Sequence, residues 1–397
     1  MNMPEIRFKN LKNEWKHFSF KEIAYKAGIK NSENLSLESY SISNELGFIP
    51  QKEQFENGGT MSKADKRMYF IVSSNSFAYN PARINVGSLG YYQGVKDVIV
   101  SSLYEVFKTS DIIDDLFLLY WFKTNIFKRM IEQYQEGGVR LYFFFDKLQK
   151  CQIKIPSLQE QQKIASYFQK LDSLIQTTSK KLASLKQIKA ASLQSMFPQE
   201  GETVPKVRFK GFEGEWEKIP FGSFLKESYE RSTVENEDIL LSSAITGVYL
   251  NSELFGHQRG ASNIGYKKIK KNMLILSAQN LHLGNANVNL RFEHGLISPA
   301  YKVYEIVNIS PLFLQQWIKM DSTKVFFLNA TTAGASLCRK NIVWDDLYKQ
   351  IVLIPSKNEQ VKIGLFFSNL DKQISLQTQR LEKLKQIKAA CLDKMFV

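Results

Sequence analysis

Seven residues spaced alternately four and three apart, Ile164, Phe168, Leu171, Ile175, Thr178, Leu182 and Leu185, lay a largely apolar seam along residues 156–198. This is the period of a helix that buries one narrow stripe. The same stepping recurs at Ile363, Phe367, Leu370, Ile374, Gln377, Leu381 and Leu384 within residues 355–397. Neither segment has Gly or Pro in its middle, Gly364 lying in the first turn. Each begins just after a Pro-Ser pair with Glu and Gln in the opening turn, as a helix start does. At ~1.5 Å per residue, about 38 residues make a rod of roughly 57 Å. Two equivalent helices with so narrow a seam bury it best against each other, and copies separated by a whole domain run antiparallel. The pattern predicts an intramolecular two-helix coiled coil.

The stretches ahead of these helices, 20–155 and 221–354, each hold about 135 residues, a comfortable domain size. Short runs of strand character alternate there with turn signals: KRMYFIV, KDVIVSS and QIKIP in the first, DILLSSA, NMLILSAQ and QIVLIP in the second. The run DIIDDLFLLYWFKTNIFKRMIEQY at 111–134 predicts one helix. Its counterpart starts near Ser310 and Pro311, with Ser310 as the cap and Pro311 in the first helical position. Each stretch reads as a compact α/β domain whose last strand ends at Ile-Pro-Ser and runs into a long helix.

The chain also repeats itself. Residues 155–198 match residues 354–397 without a gap, with 22 of 44 positions identical. A shorter echo pairs PEIRFKNLKNEWKHFSF at 4–20 with PKVRFKGFEGEWEKIPF at 205–221. Between these echoes the copies diverge, apart from faint pairings of 97–108 with 295–306 and of LFLLYW at 116–121 with LFLQQW at 312–317. The organisation is a first module at 1–155, a helix at 156–198, a second module at 199–354 and a helix at 355–397. Shared ends with different middles imply one scaffold carrying two specificities, arranged with pseudo-twofold symmetry.

Composition changes the picture in one respect. Apolar residues make up 44% and charged residues 23%, which is ordinary for globular chains, but 53 Lys and Arg stand against 39 Asp and Glu, a net charge of +14. That excess suits a polyanion such as nucleic acid or an anionic membrane, although solubility alone would also account for it. The outward faces of the helices share it, through Lys163, Lys170, Lys180, Lys181, Lys186 and Lys189 on one and Lys362, Lys372, Arg380, Lys383, Lys385, Lys388 and Lys394 on the other. Such charges serve a solvated face as readily as a DNA or protein partner. Cys151, Cys338 and Cys391 form no CxxC pair and the four histidines show no ligand spacing, so neither a disulfide framework nor a metal site is expected. No run approaches 18 apolar residues and the N-terminus lacks a signal-peptide core, so the expectation is a soluble cytoplasmic protein with no membrane partner.

Laid out this way, the chain resembles over essentially its full length the specificity subunit of a type I restriction–modification system. The resemblance rests on the PEIRF…EW and PKVRF…EW entries, the IPSLQEQQKIASYF and IPSKNEQVKIGLFF junctions, the paired LKQIKAA helices and YNPARINVGS at 79–88. It implies two target recognition domains, each reading one half of a bipartite DNA site. It further implies that the repeated helices set the spacing and dock two modification (methyltransferase) subunits, to which restriction (translocase and nuclease) subunits are added. The fold so implied is α/β (α+β), with two globular recognition domains separated by a long antiparallel coiled coil. The second module has SAQNLHLGNANV at 277–288 in place of the NPARINVGS wording, so its reading surface is not inferred from the first.

The chain has no Gly-rich loop with an [ND]PP[YFW] tetrad for base methylation, no GxxxxGK[ST] loop for ATP and no nuclease-like carboxylate cluster. The resemblance places S-adenosylmethionine, ATP and Mg in partner subunits and no cofactor or catalytic residue in this chain. Base edges are read by Arg or Lys at guanine and by Asn or Gln at adenine. Polar, loop-like stretches carry such residues at Lys63, Lys66, Arg67, Asn80, Arg83, Gln93 and Arg140 in the first module. In the second they are Gln258, Arg259, Asn263, Lys267, Lys268, Gln279, Asn280, His282, Arg339 and Lys340. Each of these is also suited to a phosphate contact or a solvated loop, while Tyr79, Tyr91 and Tyr92 suit packing. A stand-alone DNA-bridging protein needs the same features without partners, and an enzyme in its own right lacks its cofactor motifs.

Overall fold

The computed structural model describes residues 3–11, 13–54, 65–255, 262–336 and 339–397, with backbone alone over 333–336 and at 339. The chain forms two compact units. The first comprises residues 1–178 and 380–397, the second residues 179–379. Packing thus groups each module with parts of both long helices, Leu158–Ser195 and Lys357–Lys394.

In the first unit a five-stranded sheet runs in the order Ile29–Lys30, Phe70–Val72, Val98–Val100, Ser39–Ser43, Gly47–Pro50. A four-stranded sheet runs Ala24–Lys26, Glu105–Thr109, Ser76–Tyr79, Leu89–Tyr92. Strand Ser76–Tyr79 is buried on both faces, and its period-two alternation sends successive side chains into different cores. Ala78 joins Ile42, Val72, Val98 and Val100 of the neighbouring sheet. Phe77 and Tyr79 point the other way, to Phe107, Trp121, Phe127 and Phe143. The entry strand Lys16–Ser19 pairs antiparallel with Gln152–Ile155, which leads directly into the first long helix.

The second unit repeats this ladder almost strand for strand. Its sheets run Gly247–Leu250, Leu240–Ala244, His294–Ile297, Lys267–Lys270 and Leu225–Glu227, Tyr301–Ile306, Leu274–Ser277, Ala286–Val288, and Glu217–Pro220 pairs with Ile351–Ile354. Even the parallel pairing recurs, Ser39 opposite Ile99 in one unit and Leu240 opposite Leu296 in the other. The ladders equate Phe107 with Tyr304, each opposite the matching strand at Phe77 and Leu274. This is one residue off the gap-free sequence pairing of 97–108 with 295–306. A one-residue slip reverses the faces of a strand, so the ladder is the true correspondence. The helix expected over 111–134 is two helices, Asp115–Trp121 and Asn125–Tyr134, because Thr124 caps a new start by accepting from the Phe127 N–H. Pro311 opens Pro311–Trp317 as expected, although the Ser310 hydroxyl makes no capping bond.

The long helices meet antiparallel within each unit. In the first, Lys388 pairs with Asp172 at 2.5 Å and Phe396 packs on Phe117 and Phe168. In the second, Lys189 pairs with Asp371 at 2.5 Å and Phe197 packs on Phe313 and Phe367. The seam residues Ile164, Phe168, Leu171, Leu182, Leu185, Ile363, Phe367 and Leu370 are buried, while Ile175, Ile374, Leu381 and Leu384 are half-buried. Lys189 and Lys388 are therefore not outward-facing, as the charge pattern had them, but turned onto a carboxylate of the other helix. The duplicated entry segments are clamped to the helix starts by bidentate ion pairs. Arg7 Nε and Nη2 donate to Glu160 at 2.6 and 2.7 Å, and Arg208 donates likewise to Glu359 at 2.8 and 2.6 Å, both carboxylates being 1% exposed.

Candidate nucleic-acid interface

At the end of strand Ser76–Tyr79 the chain makes a 3-10 turn at Ile84–Val86 closed by Gly87 at φ 93°. At the end of Leu274–Ser277 it makes another at Leu281–Leu283 closed by Gly284 at φ 90°. A left-handed residue here is best a glycine, since a Cβ in that conformation costs roughly 1–2 kcal/mol. The backbone bonds match one for one. Asn80 N–H donates to Ser88 O at 3.0 Å and Ser277 N–H to Asn285 O at 3.1 Å. Ser88 N–H donates to Arg83 O and Asn285 N–H to Asn280 O, both at 3.2 Å. NPARINVGS and SAQNLHLGN thus form the same backbone loop, a correspondence that their wording does not show. Arg83 corresponds to Asn280 and Asn85 to His282.

Side chains on this shared frame differ in kind. Arg83, Asn85 and Val86 are exposed on the first loop, and Gln279, Asn280 and Leu283 on the second. Asn85 was not among the sequence candidates, although its residue type and its place in NPARINVGS meet the same criterion. Asn80 is half-buried, and its Oδ1 accepts from the Ala82 N–H at 3.0 Å, leaving its Nδ2 for other work. His282 is 8% exposed and neither ring nitrogen has a hydrogen-bond partner. Burial first, and then Lys340, lower its pKa.

The other candidates divide by accessibility. Gln93 and Arg140 are exposed and Lys66 and Lys340 are half-buried. Arg67 is exposed but held by Asp65 at 2.7 Å, and Lys268 is held by Glu237. Asn263 does not reach a surface. It is 1% exposed, its Oδ1 accepts from the Asn236 N–H and its Nδ2 donates to Asn236 Oδ1, both at 2.7 Å, so it is a loop clamp. Lys267 is 6% exposed in a strand, with its pKa lowered by burial. Lys63, Gln258 and Arg259, and the side chain of Arg339, lie outside the described residues. Tyr79 and Tyr92 are core residues, and the Tyr91 hydroxyl bonds Asn75 and Asp115. A groove of about 580 Å³ runs beside the first loop, lined by Asn44, Glu45, Asn85, Lys123, Lys128 and Lys388 among others.

Among the described residues no group of His, Cys, Asp and Glu could hold a metal ion, and no helix is long and apolar enough to cross a membrane. Residues 12–187 match the family model of the type I restriction modification DNA specificity domain. No curated protein matches the chain in sequence. Among solved structures, the type I restriction–modification S subunit of M. genitalium aligns over 100% of this chain and 99% of its own, at 13% identity and a TM-score of 0.58. The HsdS subunit of Thermoanaerobacter tengcongensis aligns over 97% of both chains at 13% identity and a TM-score of 0.48. The M. genitalium likeness is one of fold, and it extends over both halves of the duplicated chain. Residues 12–187 thus match the type I restriction modification DNA specificity domain, and the entry, ladder, loop and helix of that stretch recur in the second half of the chain.

Proposed function

We propose that this non-catalytic recognition subunit binds a bipartite double-stranded DNA site. Each module reads one half through its loop, Arg83 and Asn85 in the first and Gln279 and Asn280 in the second. Two copies of one modification subunit dock on the repeated helices, bringing S-adenosylmethionine with them, and restriction subunits add ATP- and Mg-dependent functions. Lys66, Gln93 and Arg140 in the first module and Lys340 in the second extend the reading surfaces.

The observation that carries the docking is where the two copies agree on their exposed faces. Exposed positions of one helix mostly differ from exposed positions of the other, as at Gln159 and Asn358, Ser173 and Lys372, and Ala183 and Glu382. Agreement gathers instead at Lys186, Gln187, Ala190 and Ala191, identical with Lys385, Gln386, Ala389 and Ala390, all exposed. Solvent imposes no such identity, whereas a partner present twice requires the same surface twice. Alanines there let a partner helix approach closely. Ala190→Arg combined with Ala389→Arg is expected to abolish co-purification of modification subunits while leaving the melting curve of the chain within a degree or so; retained co-purification refutes this docking surface.

The reading role is tested by exchanging residues 20–155 for the corresponding module of another specificity subunit. Mapping of methylated bases across the genome is expected to show one half of the methylated motif replaced and the other half and the gap retained. Changes in both halves refute modular reading, and methylation that does not depend on this gene favours a stand-alone DNA-binding protein.

A further inference from the structure

Residues 115–133 and 311–329 align without a gap across the two modules, helix on helix, and share six identical residues. Four are apolar: Leu116, Phe117, Leu118 and Trp121, matching Leu312, Phe313, Leu314 and Trp317, all wholly or partly buried. Packing explains them. The other two are lysines, Lys123 with Lys319 and Lys128 with Lys324. Every other polar position in this stretch has changed, so a core requirement does not account for the pair.

A third lysine joins from the long helices. In the first unit Lys388 lines the same 580 Å³ groove as Lys123 and Lys128, between the turn at Asn44–Gly47 and the reading loop at Ile84–Gly90. In the second, Lys189 and Lys324 both act on Lys319 electrostatically. Lys319 Nζ donates to the carbonyls of Ile245 and Ala286 at 2.6 and 2.8 Å, bridging the equivalent turn and loop. The Lys324 stem lies over Gly284 of that loop, where an added Cβ would come within 3.4 Å of it. The opposing carboxylates are Asp172 and Glu45 in the first unit and Asp371 and Asp321 in the second. Cations outnumber them in both. Burial first, and then the like charges of Lys189 and Lys324, lower the Lys319 pKa to about 8.

We propose that these lysines form a backbone-phosphate clamp, one in each module, holding duplex DNA beside the reading loop whatever its sequence. Residues that read bases must differ between modules that read different half-sites. The phosphate is the same in both, so its ligands stay the same. The clamp rests on the DNA-specificity reading above and assigns the sequence-independent share of binding to named residues. Lys123, Lys128 and Lys324 are its exposed members, while Lys388 and Lys189 shift between carboxylate and phosphate.

The test uses the full chain assembled with its modification subunits and carrying Lys128→Gln with Lys324→Gln. Binding is measured to a duplex with the methylated motif and to a scrambled duplex, between about 50 and 300 mM KCl. The logarithmic salt slope is expected to shrink by about 0.9 for each phosphate no longer neutralised, close to two for the pair. Affinity for both duplexes should fall by a common factor, the methylated motif should not change, and Lys→Arg at both sites should restore the slope. An unchanged slope overturns the clamp. A weakening confined to the motif duplex overturns it in favour of base readout, and failed co-purification with an unchanged slope overturns it in favour of protein docking. If the unaltered complex shows no preference for the motif duplex, the specificity reading fails on that ground, and the slope on the scrambled duplex still decides the clamp.

Discussion

Phe168→Asp is expected to unfold the first unit. The ring is 0% exposed and stacks on Tyr120 and Phe396, with Tyr167 edge-on. Removing it costs about 3–5 kcal/mol of packing. The carboxylate left in its place is buried among apolar side chains and adds several kcal/mol more. A unit of this size is stable by only about 5–15 kcal/mol. Hydrogen exchange on the purified chain should show protection abolished over residues 3–178 and 380–397, sparing the strands of the second unit. Phe367→Asp, also at 0% exposure, should produce the converse pattern. Protection retained everywhere would show that the seam does not organise the units, while Phe168→Leu, which keeps the site apolar, should cost only about 1–2 kcal/mol.

The second large effect is expected at the duplicated clamp. Glu160→Ala strips the partner from Arg7, whose side chain is 11% exposed, and should destabilise the first unit by about 3–5 kcal/mol. Its melting transition should fall by the order of 10 °C. The cost arises because a largely buried guanidinium loses two charge-assisted bonds and keeps its bonds to the Asn13 carbonyl at 2.6 Å and to the weakly accepting Met3 sulfur at 3.3 Å. Replacing both partners with leucine should recover most of the loss, because the pair repays its own desolvation only partly. Glu359→Ala acts the same way on Arg208 in the second unit. A double replacement as damaging as the single one would mean that the ion pair itself, and not the stranded charge, holds the entry segment.

Both effects concern features that repeat in the sequence, and the repeat was the most legible part of this chain. Arg7 and Arg208, the Ile-Pro-Ser junctions and the seam positions recur at constant spacing because each has a partner that tolerates no substitute: a buried carboxylate, a helix start, a facing seam. Periodicity and identity therefore disclosed the long helices and the tandem organisation. The resemblance they carry pointed to the family whose model matches residues 12–187. The candidate readers were legible only as residue types. Arg83, Gln279 and Asn280 do stand exposed on the loops, but Asn263 turned out to be a clamp, Lys267 a strand residue and His282 a buried ring. Residue type states what a side chain can bond, and only its surroundings decide whether the bond is already made.

What tertiary structure alone decided lies in the divergent middles. A sheet is specified by backbone pairing, which any side chain of suitable size and polarity permits, so two nearly identical ladders grew from sequences with little in common. The same loop formed from NPARINVGS and SAQNLHLGN because its bonds are backbone bonds and its one firm demand is a left-handed glycine. An ion pair even exchanged its ends: Lys26 faces Glu105 at 3.2 Å in the first unit, and at the matching strand positions Glu227 faces Lys302 at 3.0 Å in the second. Such a swap keeps the interaction and erases the identity. The composition of the units was equally hidden. Met395 and Phe396 complete the core of the first module, Met196 and Phe197 that of the second, because antiparallel helices deliver each tail to the other repeat. The sequence by itself determined what repeats and with what period. Which residues come together depended on the direction of the helices and the register of the strands, properties of the folded backbone that no local pattern of side chains encodes.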